Sequence, residues 1–470
     1  MKKRIAIIGA GIGGTSILRR LVEHEKFNTK YSIDIYDKEA LLGRGFAFKH
    51  DSKHLLINTI TKETSLKEDL NDYSKWLNSK GIEPSTHTSR DLFGEYVHHI
   101  FRDILSNHKN IHAFGDFVDD IIYDPQNTTY SLKSAGGTRT YDTVFFVPGT
   151  LEYSDPYDLK GTKNFIHNPY PVPVKLGYTK GTIGIIGSGL SSIDIIRYLV
   201  LEKDIKKLYV FSRHGELPAV RCGENTLELK YFIKENIDKH IKDDHISLGI
   251  VTRLFNKELR YQNIDTDLFG IEFDHPKKQI EFNIKNIEAV TKIELLILKA
   301  ENLFTYIYMY LNQKDKTRYL KLYHPLIEQY HSPMPLHVAK GILEWTLEGR
   351  LIFVDEMDSV ETDNKFIIKT QDGETYEVDE LINATGPTQN IKEDSRPIFK
   401  NLLNRMLITA SEFGGIPVSR NFEIISPRHG VLPHFYAIGE IARGTMYRGD
   451  GVAILVHKSK EIITHYFESE

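Results

Sequence analysis

Two glycine-rich turns, each joining an apolar strand to a helix, predict an α/β fold with two Rossmann-like dinucleotide-binding domains and a helical insertion. The first turn is Gly9-Ala10-Gly11-Ile12-Gly13-Gly14, directly after Arg4–Ile8. The second is Gly187-Ser188-Gly189-Leu190-Ser191-Ser192, directly after Thr182–Ile186. The third observation is length, since 470 residues exceed one ordinary core. In each turn the first glycine permits the tight bend, and the second lets backbone approach a pyrophosphate at the helix N-terminus. A small third residue lets helix pack on strand. Ser192 stands at that third place in the second turn and is small enough to keep the packing. Two such turns imply two nucleotides, and the usual pair is a flavin and a nicotinamide.

Residues 1–60 read as β-α-β: a strand at 4–8, a helix at about 12–25 and a strand at Tyr31–Tyr36. Asp37 follows that strand, with Lys38 beside it, and an acid at this tip suits the adenosine ribose of FAD. Short alternating strands fill 110–150, with turns at Asp124-Pro125-Gln126-Asn127 and Gly136-Gly137. They end in Thr143–Val147 and a glycine stop at Gly149. Glu380–Asn383 runs into Gly386 in the same way, and such stops bring backbone close to a nucleotide. The proline-rich 168–173 reads as a linker.

The second β-α-β covers 181–222. Its second strand, Lys207–Phe211, ends in Ser212-Arg213-His214 with no acid at the tip. Arg213 there suits a 2′-phosphate and favours NADPH over NADH. Long amphipathic patterns at Leu227–Ile241 and Ile284–Leu311 predict a mostly helical insertion, either a substrate cover or an oligomer contact. Strands return at 351–382, with a hairpin turn at Gln371-Asp372-Gly373. Phe435–Ile438 is a buried strand ending in Gly439-Glu440. Arg448-Gly449-Asp450-Gly451 then opens a last helix at Val452, whose N-terminus suits an anionic flavin ring. The expected domains are 1–175 with 376–470 for FAD, 176–223 with 331–375 for NAD(P), and 224–330 as the insertion. No internal repeat is expected beyond the two turns.

Hydrophobic residues make up 40% of the chain and charged residues 26%, and the net charge is −4, so nothing calls for nucleic acid or an anionic membrane. The apolar stretch after Met1-Lys2-Lys3-Arg4 is too short for a signal peptide. Glu294, Lys299 and Glu301 interrupt Ile293–Leu311, the best candidate for a membrane span. Cys222 is the only cysteine, which fits a cytoplasmic protein and excludes dithiol flavin chemistry within the chain. No His, Cys or acidic cluster has metal-ligand spacing, and no catalytic residue is assigned.

The chain resembles bacterial FAD/NAD(P)-binding proteins similar to class B flavoprotein monooxygenases. The resemblance rests on Gly9–Gly14, Gly43-Arg44-Gly45-Phe46, His54-Leu55-Leu56-Ile57-Asn58 and Ser89–Tyr96. It continues in Ser212–Pro218, Asn383–Pro387 and Ile438–Thr445. It implies FAD on the N-terminal domain, NADPH on the second, and cofactor contacts at Arg44 and Asn58. It also implies dioxygen as co-substrate and a small amine or amino acid as the substrate oxidised on nitrogen. A flavin dehydrogenase or oxidase without oxygen insertion, and a non-catalytic nucleotide-binding redox sensor, remain as alternatives. A homo-oligomer remains open.

Overall fold

The computed structural model describes residues 2–223, 226–449 and 451–470. Asp450 of the C-terminal glycine-rich segment and Glu224 of the expected insertion lie outside them. The chain forms two compact units, Met1–His50 with Ile60–Glu152 and Pro387–Glu470, and Asp51–Thr59 with Tyr153–Gly386.

The first unit is built on a six-stranded sheet. Its order is Glu423–Ser426, Gly430–Ala437, Thr143–Phe146, Lys3–Ile8, Tyr31–Tyr36 and Ile111–Phe114. All neighbours pair in parallel except the first two, which are antiparallel. Ile5, Ile7, Val144, Phe145 and Phe146 have no exposed surface. Such unbroken apolar strands suit a parallel sheet covered on both faces. The helix Ile12–Glu23 packs against Val452–Ser469 and Arg90–Asn107. A separate antiparallel sheet, Val118–Asp124, Thr129–Ser134 and Gly137–Tyr141, leads into the strand Thr143–Phe146.

The second unit repeats this plan. Its parallel sheet runs Leu351–Val354, Leu208–Phe211, Ile183–Ile186, Glu380–Asn383 and Phe165–Ile166. An antiparallel sheet, Met357–Asp363, Lys365–Thr370 and Thr375–Val378, again leads into the strand that carries the glycine stop. The repeat therefore extends past the two turns to whole β-α-β units, each with an antiparallel sheet ahead of the strand that ends in its first glycine stop. Sequence comparison misses it because burial and backbone direction are repeated while residue identities are not.

The helical region lies between Val220–Arg221 and Met334–Pro335, and these two dipeptides pair in parallel as a separate two-stranded sheet. Its longest helix, Ile287–Tyr310, buries Ile293, Leu296 and Ile297. Glu294 on that helix meets Arg221 at 3.3 Å with both side chains buried. Among the described residues no helix is long and apolar enough to cross a membrane. The expected helix at Leu227–Ile241 shrinks to Lys234–Asp238. The cause is Glu258, whose carboxylate accepts from the backbone N–H of Lys230, Tyr231 and Phe232. Those amides are thereby drawn from any helical ladder. The segment 168–173 is no free linker, because Tyr170 is buried and donates to Asp194 at 3.1 Å.

Candidate dinucleotide sites

In the first unit the strand Lys3–Ile8 runs out into Gly9, whose φ of +100° suits glycine. A Cβ on Gly9 would lie 1.9 Å from the Val147 carbonyl oxygen, and one on Gly14 1.9 Å from the Gly9 oxygen. A Cβ on Gly13 would meet the Val147 side chain at 2.6 Å. The turn is therefore glycine by necessity, and it starts a helix whose N-cap, Gly11, offers no capping side chain. The first-turn amides are left for an outside acceptor. Gly11 has a second neighbour that the sequence hides. Its Cβ would lie 3.2 Å from the Gly45 Cα, so the loop through Gly43 and Gly45 presses on the turn.

Asp37 sits at the expected strand tip and is 8% exposed. Its carboxylate accepts from the Ala10 N–H at 2.8 Å and from the Lys38 N–H at 2.8 Å. Burial pushes its pKa up, and these two amides with the Arg396 charge oppose the rise. Asp37 thus braces the turn. Lys38 is exposed, with Nζ 4.8 Å from the centre of the Phe117 ring.

The strand stop is fixed by a residue that sequence reasoning missed. Arg396 donates to the carbonyls of Pro148 and Thr150 at 3.2 and 3.0 Å, straddling Gly149, while Asp394 holds its guanidinium at 2.7 Å. Gly149 has φ +73° and open space where a Cβ would stand. No local motif marks Arg396, because its partners come from a distant part of the chain. At the other stop Gly439 has φ +90°, and a Cβ on Gly449 would lie 2.2 Å from the Gly439 oxygen. Glu440 pairs with Arg443 at 2.8 Å. Gly451 is the N-cap of the helix that opens at Val452, Val452–Ser469, which has no side-chain capping bond. Arg44 is buried, and its guanidinium is engaged by Glu95 and, at 3.4 Å, by Asp91. Those two acids and His50 are the one group of possible metal ligands among the described residues. Arg44 already meets both carboxylates.

In the second unit Gly187 has φ +112°, and its Cβ would lie 2.7 Å from the Ala384 oxygen. Gly189 is the N-cap of the helix Leu190–Leu201, again without a capping side chain, and nothing stands within 4 Å of where its Cβ would be. Ser191 is half-buried and Ser192 fully buried, so serine fills the third place without opening the packing. Asn383 does here what Arg396 does in the first unit. It donates to the carbonyls of Ser154 and His167 and accepts from the Thr385 N–H at 3.1 Å.

Arg213 is exposed at the tip of the strand Leu208–Phe211. Asp355 follows the neighbouring strand Leu351–Val354. It accepts from the Ser212 hydroxyl at 3.3 Å, and burial raises its pKa. A Cβ on Gly215 would lie 2.7 Å from the Asp355 carboxylate, so that acid packs against the loop at Gly215. Asn58 is half-buried in the short segment Asp51–Thr59, which belongs to the second unit. Beside it, Arg197 Nε donates to the His54 carbonyl at 3.0 Å and His54 Nε2 meets Glu202 at 2.9 Å.

These features define a protein with two α/β units of the dinucleotide-binding fold in one chain. Residues 6–151 match the family model described as FAD-NAD(P)-binding. No curated protein matches the sequence. The fold is similar over 100% of this chain and 99% of the other to ornithine hydroxylase from Pseudomonas aeruginosa, with a TM-score of 0.62 at 13% identity. The cadaverine monooxygenase of desferrioxamine biosynthesis from Erwinia amylovora, solved with FAD, gives 0.60 at 14% identity, covering 99% of this chain and 95% of that one. Cyclohexanone monooxygenase from Rhodococcus sp. Phi1, bound to NADP+, gives 0.53 at 16% identity, covering 100% and 86%. The expected resemblance to class B flavoprotein monooxygenases is thus met in the fold.

Proposed function

We propose that this chain is an FAD- and NADPH-dependent monooxygenase that oxidises the nitrogen of a small amine or amino acid. The observation that carries the reading is the repeated unit: two glycine turns, each closed by its own strand stop, in a chain whose whole length follows the fold of the ornithine hydroxylase and the cadaverine monooxygenase named above. We assign FAD to the first unit, at Gly9–Gly14, Asp37, Gly149 and Gly439, and NADPH to the second, at Gly187, Gly189, Ser191 and Arg213. We place the protein in the cytoplasm, on its single cysteine.

Bound FAD would supply hydride acceptance from NADPH and reaction with dioxygen. The chain's own residues do the holding. The uncapped amides after Gly11 and Gly189 face the two pyrophosphates. Asp37 accepts from the adenosine ribose, and its burial suits it to a hydroxyl donor in place of water. Arg213, exposed at the strand tip, pairs with the 2′-phosphate. The overall balance is R–NH2 + O2 + NADPH + H+ giving R–NHOH + H2O + NADP+.

The test is oxygen consumption during NADPH oxidation by the flavin-loaded protein, with a panel of diamines and basic amino acids. Without a substrate, the oxygen consumed should appear as hydrogen peroxide. With the right amine, peroxide should fall and a hydroxylamine should form. NADPH oxidation that consumes no oxygen would assign the chain to the dehydrogenases. Peroxide that stays stoichiometric under every amine would assign it to the oxidases.

Arg213→Ala should raise the KM for NADPH by roughly tenfold or more, because a charge-assisted phosphate contact is worth on the order of 1.5–3 kcal/mol. The KM for NADH should stay nearly unchanged. Equal use of the two nucleotides by the unmodified protein would count against this role.

A further inference from the structure

The loop that carries Arg213 is held from three sides, and one hold comes from the helical region. Ser212 Oγ accepts from the Gly215 N–H at 2.9 Å. Ser188, inside the second glycine turn, donates to the Glu216 carbonyl at 2.6 Å. Gln279 then clamps Leu217. Its Oε1 accepts from the Leu217 N–H at 2.8 Å and its Nε2 donates to the Leu217 carbonyl at 2.7 Å. Gln279 is 2% exposed and Leu217 is 3% exposed, so water replaces neither bond. Gln279 lies on the helix Pro276–Lys285. His275, which caps that helix, packs edge-on against Phe353 at 6.3 Å, next to the strand end that bears Asp355.

We propose that Gln279 is a positioning residue for dinucleotide choice. By fixing Leu217 it sets where Arg213 stands, so the helical region selects NADPH over NADH. The inference rests on the reading of the second unit as the NADPH site. A buried carboxamide that satisfies both backbone groups of one residue leaves that residue a single position. Without it the buried Leu217 amide and carbonyl lose their partners, and the chain regains its hydrogen bonds only by moving. Arg213, four residues back, moves with it. The turn at Gly187–Gly189 lies on a different segment and is joined to the loop through the Ser188 side chain, so its backbone amides, which face the pyrophosphate, keep their place. Loss of Gln279 should therefore weaken binding of the phosphorylated nucleotide and spare the other.

The experiment is calorimetric titration of NADP+ and NAD+ into the flavin-loaded full-length protein. Gln279→Leu should weaken NADP+ binding by roughly tenfold, and NAD+ binding by less than about twofold. In the Arg213→Ala background, the same substitution should change NADP+ binding by less than about twofold, because its effect passes through Arg213. Equal weakening of both nucleotides, or additive losses in the double variant, would overturn the inference. Gln279→Asn keeps the amide but cannot span both Leu217 groups, and should show a smaller loss with the same selectivity if the leucine variant fails to fold. Hydrogen exchange in the unmodified protein gives an independent reading, with 213–217 slowed by NADP+ and not by NAD+. An unmodified protein without preference for NADP+ would remove the underlying reading too. A preference that survives both Gln279 variants would remove only the role of Gln279.

Discussion

Gly9→Val should give a colourless, damaged protein, whereas Gly187→Val should keep its flavin and lose NADP+ binding. The first expectation follows from a backbone at φ +100° and a Cβ 1.9 Å from the Val147 carbonyl oxygen. Neither the positive φ nor the overlap suits valine. Strain of this kind costs about 1–3 kcal/mol and forced overpacking costs about as much again. The strand Lys3–Ile8 lies inside the first sheet, so the damage spreads through that unit. At Gly187 the φ of +112° and the 2.7 Å approach to Ala384 impose the same conflict on the second sheet. The ratio of flavin to protein absorbance and a calorimetric titration with NADP+ read the two outcomes separately. A Gly187→Val protein that lost its flavin and retained NADP+ binding would reverse the assignment of nucleotides to units.

The second large effect is expected at Glu258, far from either glycine turn in sequence. Its side chain is fully buried, and its carboxylate holds the backbone N–H groups of Lys230, Tyr231 and Phe232 and the Gln262 amide. Glu258→Ala should destabilise the protein by about 3–5 kcal/mol, because several buried donors lose their acceptor together. The loss depends on pH. Burial pushes the Glu258 pKa up, but the donors outweigh it and hold the group below its usual 4.5. A carboxyl whose folded pKa is depressed contributes its full stability above the unfolded value and loses it as pH falls through the folded one. The difference in Tm between the unmodified protein and Glu258→Gln should therefore be constant near neutrality and shrink below about pH 4.5. Thermal melts between pH 7 and 4 check this, and a difference that stays flat would argue against an ionised Glu258.

The turns were legible because glycine is required there by backbone alone. Gly9, Gly14 and Gly187 each face a carbonyl oxygen with no room for a side chain, and the motif records that need locally. The strand tips at Asp37 and Arg213 were legible for a related reason, since a β-α-β unit fixes where its second strand ends. The groups that hold these features in place were not. Arg396 reaches Pro148 and Thr150, Asn383 reaches Ser154 and His167, and Gln279 reaches Leu217. Each contact joins distant parts of the chain, and no spacing rule encodes it. The same holds for the failed helix at Leu227–Ile241. Its apolar period was real, but the remote Glu258 supplied a better acceptor for its amides.

The split composition of the first unit fixes an order of assembly during synthesis. The strand Thr143–Phe146 is wholly buried and lies between Lys3–Ile8 and Gly430–Ala437. A growing chain therefore has an open, apolar sheet edge from the time residue 146 emerges until residue 437 follows. Every strand of the second unit's sheet, by contrast, is present once residue 386 has been made. The ribosome thus delivers a complete second unit while the first still lacks its closing strands. During that interval the bare edge at Thr143–Phe146 is the place where a chaperone, or a neighbouring nascent chain, would take hold.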